Sequence, residues 1–212
     1  MKRYLAEFLG TFFLVFFGCG AVVTNDISGG ALTHVGVAIC WGLVVMILIY
    51  GFGWISGTHI NSAVTISLAL AKKMPRQDIM PYLASQILGA IVGAYVLMIL
   101  FPGHSTYGST LPVGSELQSL ILEFFLTFFL MLTIYLMTNK SDKEQQWTGF
   151  IIGMVVLLEA MFAGPISGAS MNPARSLGPA IVSGNLHSLW VYVVGPIGGS
   201  LFALLVYRIF RK

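Results

Sequence analysis

The sequence predicts an all-α membrane protein with six transmembrane helices and two re-entrant half-helices, arranged as an inverted internal repeat. Three observations carry this expectation. The 212 residues are 57% hydrophobic and 9% charged, with a mean hydropathy of +0.87, whereas soluble domains carry about 25% charged residues. Six apolar stretches, at residues 4–24, 33–54, 81–101, 117–138, 147–163 and 188–210, mostly approach the ~20 residues a spanning helix needs. Finally, Ile55-Ser-Gly-Thr-His-Ile-Asn-Ser-Ala63 is answered by Ile166-Ser-Gly-Ala-Ser-Met-Asn-Pro-Ala174. The chain carries one loop twice.

The first stretch, led by Lys2 and Arg3, imitates a secretory signal, but its apolar run continues through Phe17 and its pattern recurs in mid-chain. Glu7-Phe-Leu-Gly-Thr-Phe-Phe-Leu14 matches Glu123-Phe-Phe-Leu-Thr-Phe-Phe-Leu130 at an offset of 116. It is therefore read as an uncleaved first span. Asn61 in the first loop matches Asn172 in the second at an offset of 111. The third and sixth stretches carry Gly89-x-x-x-Gly93 and Gly195-x-x-x-Gly199, a spacing of small residues that lets helices approach closely. Each half is thus three spans and a loop, about 1–101 and about 117–212, within one transmembrane domain covering 1–212. Because three is odd, the second half enters the membrane from the opposite side, which makes the repeat inverted.

The positive residues test this topology. Lys2, Arg3, Lys72, Lys73, Arg76, Lys140, Lys143, Arg208, Arg211 and Lys212 all fall on one side of a six-span chain, and only Arg175 stands apart. The positive-inside rule makes that side cytoplasmic, which puts both termini in the cytoplasm of a cell (inner or plasma) membrane. The loop at 55–75 then dips in from the cytoplasm and the loop at 165–185 from outside. The net charge of +3 reports topology, and no nucleic-acid partner is inferred from it.

About ten residues follow each Asn, enough for a half-helix of roughly 15 Å, half of the ~30 Å hydrocarbon core. Two such rods can meet at the midplane. Asn61 and Asn172 would cap them, with each side-chain carbonyl held by local backbone and each NH₂ free to face a pore. Ser62 and Ala63, and Pro173 and Ala174, begin the two rods, and Pro173 suits a first helical position because its missing N–H would be unpaired anyway. Exposed backbone at such a depth is tolerable only along a water-filled cavity. A pore follows.

The two Asn-Pro-Ala-type loops with Ser-Gly lead-ins, the Ala-Glu-Phe-Leu-Gly-Thr opening and the Arg after the second motif resemble the aquaporin (major intrinsic protein) family over essentially the whole chain. Within it, the run from Phe162 to Ala180 looks most like the nodulin-26-like subgroup, whose members pass glycerol, water and undissociated metalloid acids. The first motif departs from the family in having Ser62 where Pro is usual, which loosens the start of that half-helix. The resemblance implies a homotetramer with one pore per subunit. It also implies a selectivity constriction at Trp41, Ala160, Ala169 and Arg175, where water-selective members usually have His at the position of Ala160. Two Ala residues opposite Trp41 give a wider, greasier opening that suits small polyols.

An ionised side chain at membrane depth costs at least ~2.5 kcal/mol without compensation, so Arg175 is expected to face the cavity. Glu7 and Glu123 occupy matching places near span starts. A carboxylate there can accept loop N–H groups, and the resemblance implies that both brace the loops. His59 is expected to make a structural hydrogen bond. Glu159 has no partner in the repeat, and the sequence leaves open whether it braces the second loop or lines the cavity. His34, His104 and His187 show no metal-ligand spacing, and Cys19 and Cys40 lie in apolar spans where soft packing is expected.

These residues offer no nucleophile–base set, metal cluster or phosphate loop, so neither an enzyme nor a cofactor is expected. The expected function is a passive channel for small uncharged solutes, such as glycerol-like polyols and undissociated metalloid acids, and for water, with ions and protons excluded. Its partners are those solutes and the lipid bilayer. The alternatives are a water-selective pore and a secondary transporter, since carriers also use inverted repeats and broken helices. Apart from the bracing acids, only Glu159 is available for a coupling-ion site.

Overall fold

Long apolar helices with polar inner faces, joined by short loops, dictate the architecture. A computed structural model describes residues 1–210, except for the side chain of Asp142. In chain order these form α1 (Lys2–Ile27), α2 (Thr33–Ser56), α3 (Ser62–Leu70), a 3-10 turn (Arg76–Asp78), α4 (Ile79–Leu100), α5 (Glu116–Met137), α6 (Asp142–Gln145), α7 (Thr148–Ser167), α8 (Pro173–Ser183) and α9 (Val191–Phe210). Among the described residues, α1, α2, α4, α5, α7 and α9 are long and apolar enough to cross a bilayer. Burial runs inside out: Ile47, Leu88, Phe125, Leu158 and Leu205 are exposed, while Glu7, Thr11, Gln86, Glu123 and Thr127 are fully buried. Lipid is the solvent for such a surface.

The two halves use one packing plan. Helix α1 lies along α4 as α5 lies along α9, α2 packs on α1 as α7 packs on α5, and α2 meets α7 to join the halves. That last contact needs Gly42 and Gly153. A Cβ on Gly42 would stand 2.8 Å from the Gly153 carbonyl oxygen, and one on Gly153 would stand 2.7 Å from the Gly42 oxygen. Each half-helix crosses to the opposite half, α3 against α9 and α8 against α4.

The contacts shift one sequence alignment by a helical turn. Gly89 rests on the Phe8 carbonyl and Gly199 on the Phe124 carbonyl, and Phe8 and Phe124 are 116 residues apart, as Glu7 and Glu123 are. The structural counterpart of Gly89 is therefore Gly199, not Gly195 as the motif spacing implied. Two tyrosines confirm the register: Tyr82 donates to the Ser56 carbonyl and Tyr192 to the Ser167 carbonyl, both at 2.8 Å. Ser85 and Ala203 occupy the remaining equivalent sites, so the Gly-x-x-x-Gly likeness is local coincidence over a real repeat.

The loop-to-rod transitions follow from local chemistry. Gly57 and Gly168 end α2 and α7 in the left-handed region, at φ 81° and 83°, where glycine has no Cβ penalty. Asn61 and Asn172 then take extended φ of −152° and −150°. Their side-chain oxygens accept from Ala63 N and Ala174 N, as N-caps do.

Candidate functional site

Between those glycines and asparagines the backbone is strained twice over, in register. Thr58 and Ile60 have φ of 48° and 42°, and Ala169 and Met171 have φ of 41° and 55°. Side chains rarely adopt this region, least of all β-branched ones, and each such residue costs on the order of 1–3 kcal/mol unless its surroundings hold it. Buried carboxylates do the holding. Glu7 Oε1 accepts from Ser56 Oγ at 2.7 Å and His59 N at 2.9 Å, and Oε2 accepts from Ile60 N at 2.7 Å. Glu123 Oε1 accepts from Ser167 Oγ at 2.8 Å and Ser170 N at 2.9 Å, and Oε2 from Met171 N at 2.7 Å.

The two loops clasp each other across the middle of the bundle. Asn61 Nδ2 donates to the Met171 carbonyl and Asn172 Nδ2 to the Ile60 carbonyl, each at 2.8 Å. Both amide NH₂ groups were expected to be free, but one N–H of each is used on the opposite loop. Ser62, at the first position of α3, donates its hydroxyl to Gln86 Oε1 at 3.2 Å. Its extra polar group thus has a partner inside the protein.

A cavity of about 300 Å³ runs along this clasp, and a second of about 340 Å³ adjoins it. The first is lined by Lys73, Thr138 and Thr148 at one end and passes both asparagines. It reaches Trp41, Ala160 and Arg175, and those three residues also line the second cavity, which continues past His34 and Asn25. The path is therefore joined at a neck. Ala169 lines the first cavity beside it, so the four positions named from the sequence come together. At the neck the Arg175 guanidinium lies 4.6 Å from the centre of the Trp41 ring, within cation–π range. Its Nη1 donates to the Gly108 carbonyl at 3.0 Å, and among the described residues no carboxylate pairs with it.

Several contributors escaped the sequence reading. Gly108, in the 101–115 segment, has φ 78° and accepts from Cys19 Sγ as well as from Arg175. Gln86 Nε2 donates to Glu7 Oε2 and to Thr65 Oγ1, both at 2.8 Å, and Thr65 in turn meets His59 Nδ1 at 3.1 Å. His34 compensates for a proline. Pro165 sits inside α7 and has no N–H for the Met161 carbonyl one turn earlier; His34 Nε2 donates to that carbonyl at 2.7 Å. The cysteines are free thiols. Glu159, left open above, does neither of the things considered for it. It is 3% exposed, its carboxylate oxygens have no partner among the described residues, and it is absent from the cavity walls.

Comparison with known proteins gives one answer. The sequence profile described as Major intrinsic protein matches residues 1–207. Over 212 residues the chain is 46% identical to Aquaporin NIP1-1 of Oryza sativa subsp. japonica, covering all of this chain and 75% of that one. It is 41% identical to Nodulin-26 of Glycine max, covering all of this chain and 78% of the relative. The crystal structure of the aquaglyceroporin from Plasmodium falciparum superposes with a TM-score of 0.87 at 27% identity, over 97% of this chain and 94% of that one.

Proposed function

The chain belongs to the major intrinsic protein family, as a multi-pass membrane channel of aquaporin type and not an enzyme, and from that premise we propose that it passes glycerol-like polyols, undissociated metalloid acids and water while excluding ions and protons. One observation carries the choice of solute: the neck is walled by the Trp41 indole and two alanines, Ala160 and Ala169, with Arg175 as its single charge. A polyol slides its carbon face along the indole and its hydroxyls along the guanidinium. A His at position 160 would fill that space.

Charge exclusion has its own source. The N-termini of α3 and α8 converge where Asn61 and Asn172 clasp the opposite loops, and each end carries roughly half a positive charge. Cations are repelled there. A permeant oxygen turns toward the remaining Asn N–H groups, which interrupts a proton wire through water. Glu7 and Glu123 hold the loops open in this reading, and His59 supports the first through Thr65. Charge placement supports cytoplasmic termini, with Lys73, Arg208 and Arg3 all beside the inner loops; Arg211 and Lys212 lie outside the described residues. The family supports a homotetramer with a pore in each subunit.

Stopped-flow light scattering of reconstituted vesicles tests the solute. Ala160→His should suppress glycerol flux while sparing water flux. An unchanged glycerol-to-water ratio would remove the size argument, and saturable, proton-driven uptake in place of linear gradient-driven flux would make the protein a carrier.

A further inference from the structure

The Trp41 ring occupies space that any other residue at position 18 would fill. A Cβ placed on Gly18 would overlap Cζ3 and Cη2 of the indole and stand 2.5 Å from Cε3. These atoms belong to a rigid fused ring, so no flexible tip can yield. Gly18 is buried in α1, and close to it Cys40 Sγ reaches the Phe17 carbonyl at 3.4 Å, which marks how tightly α2 is seated on this stretch of α1. The indole also borders both cavities and faces the Arg175 guanidinium.

The internal repeat supplies a control. At the offset that relates Glu7 to Glu123, the counterpart of Gly18 is Ile134; at the offset that relates Asn61 to Asn172, the counterpart of Trp41 is Ile152. Both isoleucines line the first cavity. In the second half a side chain stands where the first half has none and a large ring fills the space. The missing side chain is thus not required by the shared packing plan.

We propose that Gly18 is a specificity-determining residue, providing a slot in α1 that recesses the Trp41 indole and so sets the width of the neck. This rests on the reading above in that Trp41 walls the permeation path. An added methyl in the slot displaces the ring toward the conduit that it borders and tilts it off Arg175.

The test is Gly18→Ala, Trp41→Phe and the double variant, each reconstituted and measured for water and glycerol flux. Gly18→Ala should lower glycerol flux by about fivefold or more, since overpacking a rigid wall raises the barrier, and lower water flux much less. The smaller ring of Trp41→Phe should restore glycerol flux in the Gly18→Ala background. A glycerol-to-water ratio unaltered by Gly18→Ala overturns the proposal, as does a parallel loss of both fluxes that Trp41→Phe does not restore. Ala160→His keeps the two readings apart: a fall in the ratio there without one in Gly18→Ala sinks the slot alone. If the wild-type protein passes no glycerol, the solute reading falls; the slot is then judged on water flux, which Gly18→Ala should lower and Trp41→Phe restore.

Discussion

The first half supports its loop with His59, Thr65 and Gln86; the second supports the equivalent loop with Ser170, Ser176 and Thr110. The first two residues of each set correspond in the repeat, and the third comes from a different place. Gln86 lies on α4 and reaches Thr65 and Glu7, whereas Thr110 lies in the 101–115 segment and donates to Ser176 at 2.7 Å, which itself meets Ser170 at 2.5 Å. The carboxylates differ accordingly. Glu7 accepts four hydrogen bonds, one of them from Gln86, and Glu123 accepts three. Backbone geometry was held equal while the side chains around it diverged, because strained φ values at 58 and 60, and at 169 and 171, need donors satisfied but do not specify by whom.

The divergence also places charge. Arg175 begins the second rod, and its counterpart in the first is Val64. Only the second half therefore contributes a cation to the neck, opposite a Trp contributed only by the first. A symmetric scaffold thus carries an asymmetric set of residues where the two cavities meet.

Removing the carboxylates separates the halves most strongly. Glu7→Ala strands four donors, three of them buried and one half-buried, and Glu123→Ala three buried ones, and at about 1–3 kcal/mol for each unsatisfied buried group both should destabilise severely, Glu7→Ala more. Thermal unfolding in detergent measures this, and a larger loss at Glu123 would reverse the comparison. His34 gives the next effect. Pro165 has Trp54 as its counterpart, so α7 needs an outside donor where α2 does not, and His34→Phe should cost about 1–3 kcal/mol by orphaning the Met161 carbonyl. His34→Gln, with its own N–H, should recover part of that loss; no difference between the two variants would deny the hydrogen bond its role. The smallest effect belongs to Ser62→Pro, which makes the first motif match the second. Proline suits the first helical position and its stiffness is worth about 0.4–1 kcal/mol, which offsets part of the about 1–3 kcal/mol lost when the buried Gln86 Oε1 loses its donor, so a net loss of about 1 kcal/mol is expected, with water flux unaltered. A large change in either would show that the first rod depends on Ser62 in a way the second does not depend on Pro173.

Much of this was legible in the chain because it is encoded locally. The six spans are runs of apolar residues, and the rods announce themselves through Gly57, Gly168, Asn61 and Asn172, whose conformational and capping preferences act over a few residues. Glu7 and Glu123 were legible because an acid in an apolar span must find partners. By contrast, Gln86, Thr65, Tyr82 and Gly108 carry no such signal, since a polar residue in a helix or a glycine in a loop is ordinary until something distant is placed against it. The glycine spacing misled for the same reason: residues three and four apart mark a face without naming the helix that will touch it.

Sequence alone determined that the chain enters a bilayer, turns back twice within it and repeats itself with inverted sense, because transfer free energy, helix rise and capping are properties of short segments. Only the tertiary structure decided that each Asn amide donates to the opposite loop, that a histidine of α2 mends a proline break in α7, and that the Trp41 ring lies against Gly18. Each of these joins atoms from segments far apart in the chain, and such contacts are fixed by how whole helices pack.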